Sequence, residues 1–194
     1  LFSPTTCSSN VNRLLSWAEA KKWKCYVGDA VGAFNQALIR DGEAIHLEPP
    51  EGFGKGGGTV WKLLKAVNGL KSSPRRWTEH LGAHLEKEGW KCAKTDETFW
   101  WRSKIGTDGQ ESMELMTFHV DDFILISKDG EDAIAGFKAG IDSKWTEVDD
   151  RPRNFLGKEL IREAGGERRF RWGMTPEYIQ ETCEVAGVPN LRPS

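Results

Sequence analysis

Met116-Thr117-Phe118-His119-Val120-Asp121-Asp122-Phe123-Ile124-Leu125-Ile126 is an apolar, strand-forming run broken by two adjacent acids. The residues on either side predict short strands, so the acids stand on opposite faces of one strand or form the turn between two. A polar hairpin tip is the simpler account of the pair alone. Carboxylates held side by side also repel, and a divalent cation is the simplest partner that relieves the repulsion. The choice depends on what the rest of the chain brings to the same place.

The chain has 194 residues, 38% of them hydrophobic and 29% charged, with a net charge of -2. That balance fits a globular protein with one sizeable core and at most a small subdomain. There is no overall basicity, so nucleic-acid binding would have to come from a local patch. No apolar run approaches the roughly 20 residues that span a bilayer, and no signal-peptide pattern opens the chain. It reads as intracellular, with no membrane partner. Cys7, Cys25, Cys92 and Cys183 are scattered without Cys-x-x-Cys spacing, so they are expected to be reduced and mostly buried. The nine tryptophans are expected to serve packing, with some aromatic surface available to stack on bases.

Val11, Leu14, Leu15 and Ala18 predict an amphipathic helix over residues 8 to 22. Trp23, Cys25 and Val27 then alternate into a strand that delivers Asp29 at its carboxyl end. A short helical piece through Phe34 and Leu38, a strand at Ile45 and Leu47, a loop at Gly52 to Gly58 and an extended run from Val60 to Leu64 follow. Ser73-Pro74 starts a helix whose apolar face is Trp77, Leu81, His84 and Leu85, with Gly89 as its stop. Strands are expected near 97 to 102 and 113 to 127, flanking a polar loop at Gly106 to Gln110. Glu131 to Trp145 reads as a helix, 154 to 172 as a hairpin turning at Gly165-Gly166, and Thr175-Pro176 starts a last helix. Helices and antiparallel strands mix without regular alternation, so the fold class is α+β.

Gly52, Gly54 and Gly57 have dinucleotide-loop spacing, but an extended run follows them and no acid stands about 20 residues on. His80 and His84 are four apart on a helix and could share zinc, yet Leu81 replaces the glutamate of metalloprotease chemistry and no third ligand is evident. No Gly-x-Ser-x-Gly elbow supports nucleophilic hydrolysis. What remains is Asp29 at one strand end with Asp121 and Asp122 in the apolar run. If those strands are neighbours, three carboxylates converge, the donor set that holds two Mg²⁺ ions about 3.5–4 Å apart for nucleotidyl transfer. Lys62, Lys65, Lys71, Arg75 and Arg76 fall within fifteen positions and could contact phosphates, or could simply be a solvated face.

Together these motifs resemble the reverse transcriptase of copia-type long-terminal-repeat retrotransposons. Asp29-Ala30-Val31-Gly32-Ala33-Phe34 is similar to that family's Asp-Val-x-x-Ala-Phe. Glu43 to Phe53 resembles its x-x-Tyr-Met-x-Gln-Pro-x-Gly-Phe segment, and Asn68-Gly69-Leu70-Lys71-Ser72-Ser73-Pro74-Arg75-Arg76-Trp77 its Tyr-Gly-Leu-Lys-Gln-Ser-Pro-Arg-x-Trp. His119-Val120-Asp121-Asp122 stands where the family has Tyr-Val-Asp-Asp, and Asn154 to Leu160 is similar to Tyr-Phe-Leu-Gly-Ile-Glu.

The resemblance implies a right-hand polymerase palm, an antiparallel sheet backed by helices, with partial fingers and the start of a thumb. It implies a single partial domain over 1–194, fingers and palm over about 1–150, primer-grip hairpin and thumb start over about 151–194. Asp29 and Asp121 would be the principal metal ligands and catalytic acids, with Asp122 supporting them and the Ala30 carbonyl adding an oxygen. The cofactor would be Mg²⁺ or Mn²⁺. Ala33, Phe34, Asn68 and Gly69 would meet the incoming deoxynucleoside triphosphate, Phe34 as the gate against a ribose 2′-hydroxyl. Lys71, Arg75, His119, Phe155, Leu156 and Gly157 would contact the RNA or DNA template and its primer. The expected activity is RNA-directed DNA polymerase. Three departures stand out. The basic fingers segment would precede Leu1, His119 replaces tyrosine, and Lys158 takes an apolar position. A catalytically inactive remnant keeping the palm fold and weak nucleic-acid binding is the alternative, and a zinc hydrolase using His80 and His84 a third reading.

Overall fold

In a computed structural model, residues 4–40, 42–50, 52–53, 59–105, 109–163 and 169–186 are described. In chain order the elements are α1 (Ser8–Lys21), β1 (Lys24–Ala30), α2 (Ala33–Gln36), β2 (His46–Leu47), β3 (Trp61–Lys62), α3 (Ser73–Lys87), β4 (Lys91–Ala93) and β5 (Asp96–Ile105). They continue as β6 (Glu111–His119), β7 (Asp122–Ser127), α4 (Glu131–Lys138), β8 (Ser143–Glu147), β9 (Arg153–Phe155), β10 (Lys158–Arg162), β11 (Phe170–Gly173) and α5 (Pro176–Ala186). A six-stranded sheet in the order β4-β5-β6-β7-β1-β8 carries the structure, and every pairing in it is antiparallel. The α+β expectation therefore holds.

Alternation along the central strands builds two cores. Tyr26, Met116, Phe118, Phe123 and Leu125 meet Trp77, Leu81 and Leu85 of α3 and Phe137 of α4 on one face. Cys25, Leu115, Ile124 and Ile126 meet Val11, Leu14, Leu15 and Ala18 of α1 on the other, together with Phe155 and Leu160 of the small β11-β10-β9 sheet. Each large side chain so buried contributes about 1.5–3 kcal/mol of transfer free energy, and burial on both faces explains why β7 reads as a continuous apolar run.

The helix expected from Glu131 to Trp145 is a correction. α4 ends at Lys138, and Ser143–Glu147 forms β8 against β1. Gly136 and Gly140 weaken the helical run, and Trp145 finds a better place in the sheet. It pairs with Gly28, and a Cβ on Gly28 would meet the ring at 2.6 Å. The indole can thus lie across the strand, 5.8 Å from Phe123 and 5.1 Å from Phe137 between ring centroids.

Other expectations shift less. The hairpin over 154 to 172 contains an extra tight turn, because Phe155 pairs with Lys158 before β10 pairs with β11. Gly165-Gly166, like Gly54 to Gly58 and Gly106 to Asp108, lies outside the described residues. All four cysteines are free, but only Cys25 is buried; Cys7 is exposed at the N-cap of α1, and Cys92 is exposed in the middle of the edge strand β4. No described helix is long and apolar enough to cross a membrane.

Because Trp145 fills the space above Gly28, Gly28→Ala is expected to cost about 1–3 kcal/mol by overpacking in urea unfolding. The same change in a Trp145→Val background should cost clearly less, and equal costs in both backgrounds would contradict the packing account.

Candidate active site

β6 and β7 are joined by a two-residue turn, Val120-Asp121, with His119 and Asp122 paired across it. Val120 has φ 56°, while Asp121 is not among the residues with positive φ. That is the pattern of a type II′ turn, which places glycine first; a β-branched residue there is strained. Both turn carbonyls are held. The Nε1–H of Trp77, from α3, donates to the Val120 oxygen at 2.6 Å, and the Ala30 N–H donates to the Asp121 oxygen at 2.8 Å.

The register of the sheet then assembles one row of charge. His119 faces Asp122, Asp122 faces Asp29, and Asp29 faces Lys144, across β6, β7, β1 and β8. Residues directly opposite share a face with Cβ atoms about 4.5–5.5 Å apart. The row lies at the turn end of the face that packs on α1 and the small sheet. Asp29 and Asp121 are exposed and Asp122 is half-buried. Burial first, then the carboxylates of Asp121 and Asp29, raise the Asp122 pKa above 3.8, while His119 and the backbone N–H of Leu156 act against the rise.

Three carboxylates of hard oxygen character suit Mg²⁺ or Mn²⁺, and the like-charge repulsion at Asp122 is what a cation would relieve. Among the described residues, however, no group of three or more His, Cys, Asp and Glu is gathered tightly enough to hold an ion by itself. Mg²⁺ is commonly held by one or two carboxylates plus substrate phosphates, so such a gathering is not required of this donor set.

The remaining predicted residues are spread around this row. Ala33 is buried at the start of α2, and Phe34 is half-buried against the α3 core. Gln36 bonds to Val31 and to Asp142, tying the segment after Asp29 to the entry of β8. Asn68 and exposed Gly69 form a turn closed by the Leu70 N–H on Val67 O at 3.3 Å, where Gly69 takes φ 88°. Lys71 is exposed. Arg75 is engaged by Glu79, which also binds Arg40, and Arg76 is buried against Glu43. The basic cluster is therefore partly committed to ion pairs within the protein.

Phe155 is buried, and Leu156-Gly157 form a two-residue turn with φ 53° and 69°, a type I′ pattern. His84 bonds to Gly136 O at 3.2 Å and stacks edge-on against Phe137, so it serves helix packing rather than zinc. Two neighbours of the acids have no plain signature in the sequence. Lys144 lies in a stretch whose sequence looks helical, and the reach of the Trp77 indole to Val120 has no signal in sequence spacing.

These features define a reverse transcriptase domain: residues 1–188 match the family described as reverse transcriptase (RNA-dependent DNA polymerase), and the chain belongs to it. It is 25% identical, over its full length and 14% of the relative, to the Retrovirus-related Pol polyprotein from transposon TNT 1-94 of Nicotiana tabacum. Over 66% of the chain it is 28% identical to the Retrovirus-related Pol polyprotein from transposon RE1 of Arabidopsis thaliana, covering 8% of that protein. The resemblance to copia-type elements holds, and the chain spans only a small part of these relatives.

The raised Asp122 pKa sets a sign. The folded protein favours the protonated carboxyl, so this contribution to stability is complete below 3.8 and is lost as pH rises through the folded value. In chelator-containing buffer, Asp122→Asn is expected to raise the melting temperature at pH 7, with the gain shrinking as pH falls towards 3.8. A variant less stable than the parent at pH 7 would contradict the crowding of charge.

Proposed function

We propose that this chain is an RNA-directed DNA polymerase domain that extends a primer 3′-hydroxyl with deoxynucleotides by two-metal nucleotidyl transfer. Residues 1–150 supply the palm and part of the fingers, and 151–194 the primer-grip hairpin and the start of the thumb. The observation that carries this reading is the register that places Asp122 opposite Asp29, with Asp121 in the adjoining turn. Two motifs separated by some ninety residues of chain thereby share one end of one sheet.

Asp29 and Asp121 are the principal ligands, with Asp122 and the Ala30 carbonyl beside them. When bound, Mg²⁺ or Mn²⁺ supplies a lowered pKa for the primer hydroxyl and a counter-charge for pyrophosphate. The new bond joins the primer oxygen to the α-phosphorus as the bond to pyrophosphate breaks. Ala33 and Phe34 border the sugar, where the ring is the steric filter against a 2′-hydroxyl, and Asn68 and Gly69 lie against the nucleotide. Lys71 and Arg75 meet backbone phosphates, Arg75 by exchanging Glu79 for a phosphate. His119 and the Phe155-Leu156-Gly157 turn lie along the primer strand; supporting this, Phe155 packs into the same core as Ile124 and Ile126 of β7.

A second reading, an inactive domain that keeps the fold and weak nucleic-acid binding, is favoured by one observation, the commitment of Arg75 to Glu79 and of Arg76 to Glu43 within the protein. Primer extension on an RNA template with Mg²⁺ or Mn²⁺ separates the two. Extension is expected, falling about 100-fold or more in Asp29→Asn and Asp121→Asn. Extension unchanged by Asp121→Asn overturns the site assignment, and primer-template binding at low salt without extension selects the second reading.

A further inference from the structure

We propose that Trp77 is a positioning residue for the acidic turn: its indole N–H, reaching out of the core, fixes the Val120-Asp121 peptide and so sets where Asp121 and Asp122 stand against Asp29. Trp77 is fully buried on α3, and its Nε1–H ends 2.6 Å from the Val120 oxygen. That oxygen belongs to the central peptide of the turn. Types I′ and II′ share a positive φ at the first turn residue and differ by a flip of this central peptide. Holding its carbonyl therefore selects the turn type and, with it, the direction in which the Asp121 side chain leaves the backbone.

The need for such a hold comes from Val120. A β-branched residue at φ 56° persists only where its surroundings determine it. The Ala30 N–H fixes the other turn carbonyl, but from β1, the strand that carries Asp29. Trp77 supplies the independent anchor from the opposite face of the sheet, through the helix that begins at Ser73-Pro74. Trp77 thus acts on the acids through a single hydrogen bond from its indole, without itself touching nucleotide or ion.

The catalytic consequence rests on the polymerase reading; the mechanical one does not. Trp77→Phe removes the N–H and keeps most of the ring. A misplaced catalytic group costs up to about 100-fold, so kcat for primer extension is expected to fall about 10-fold or more, with KM for the deoxynucleotide little changed. Adding Val120→Gly, which favours a type II′ turn intrinsically, should restore much of the loss. A folded Trp77→Phe protein with parental kcat, or a double variant no better than the single one, overturns the proposal.

If the parent extends no primer, the polymerase reading fails separately, and amide hydrogen exchange decides the mechanical claim. Faster exchange at Asp121 and Asp122 in Trp77→Phe than in the parent, with β5 unchanged, supports it. Equal exchange at the turn, or acceleration spread evenly over the sheet, overturns it.

Discussion

One strained peptide turn governs the geometry of this domain. Val120 occupies left-handed backbone space in a two-residue connection that suits glycine, and it does so with both turn carbonyls bonded, one by Trp77 and one by Ala30. A buried carbonyl left without its donor costs about 1–3 kcal/mol, comparable to the strain it helps to contain. The turn is thereby fixed from α3 and from β1 at once. It adjoins the last pair of the β1–β7 ladder, Asp29 opposite Asp122.

The two-faced sheet explains how charge can be concentrated there without dissolving the core. Immediately below the row His119, Asp122, Asp29 and Lys144 lies a row of Phe118, Phe123, Gly28 and Trp145, pointing to the opposite face. Phe118 and Phe123 are 5.8 Å apart, and Trp145 covers Gly28, so the strands are clamped by aromatic packing one residue away from mutually repelling carboxylates. The apolar row contributes burial energy that the acidic row lacks. The repulsion left at Asp122 is of the kind that a divalent ion would relieve.

How far the sequence reads follows from which interactions are local. Val11, Leu14, Leu15 and Ala18 declare their helix because the stripe repeats within it, and the strand into Asp29 shows because Cys25 and Val27 alternate. The acids were legible as an anomaly in an apolar run, and their partnership with Asp29 as a resemblance to a known family now matched over residues 1–188. β8 looks helical in the sequence because its stability lies in the fit of Trp145 over Gly28, more than a hundred residues away in the chain. Lys144 is hidden for the same reason. The Leu156-Gly157 turn is hidden because leucine gives no sign of positive φ, and the exposure of Cys7 and Cys92 because composition does not say which positions lie at the surface.

The central claim is that this turn and β1 present Asp121 and Asp29 to a divalent ion shared with a nucleotide. The most direct measurement is anomalous diffraction from crystals of the chain grown with Mn²⁺ and a deoxynucleoside triphosphate. The account predicts an anomalous peak in contact with carboxylate oxygens of both Asp29 and Asp121. A bound triphosphate whose Mn²⁺ touches neither carboxylate, or Mn²⁺ seated elsewhere with this end of the sheet empty, would contradict it.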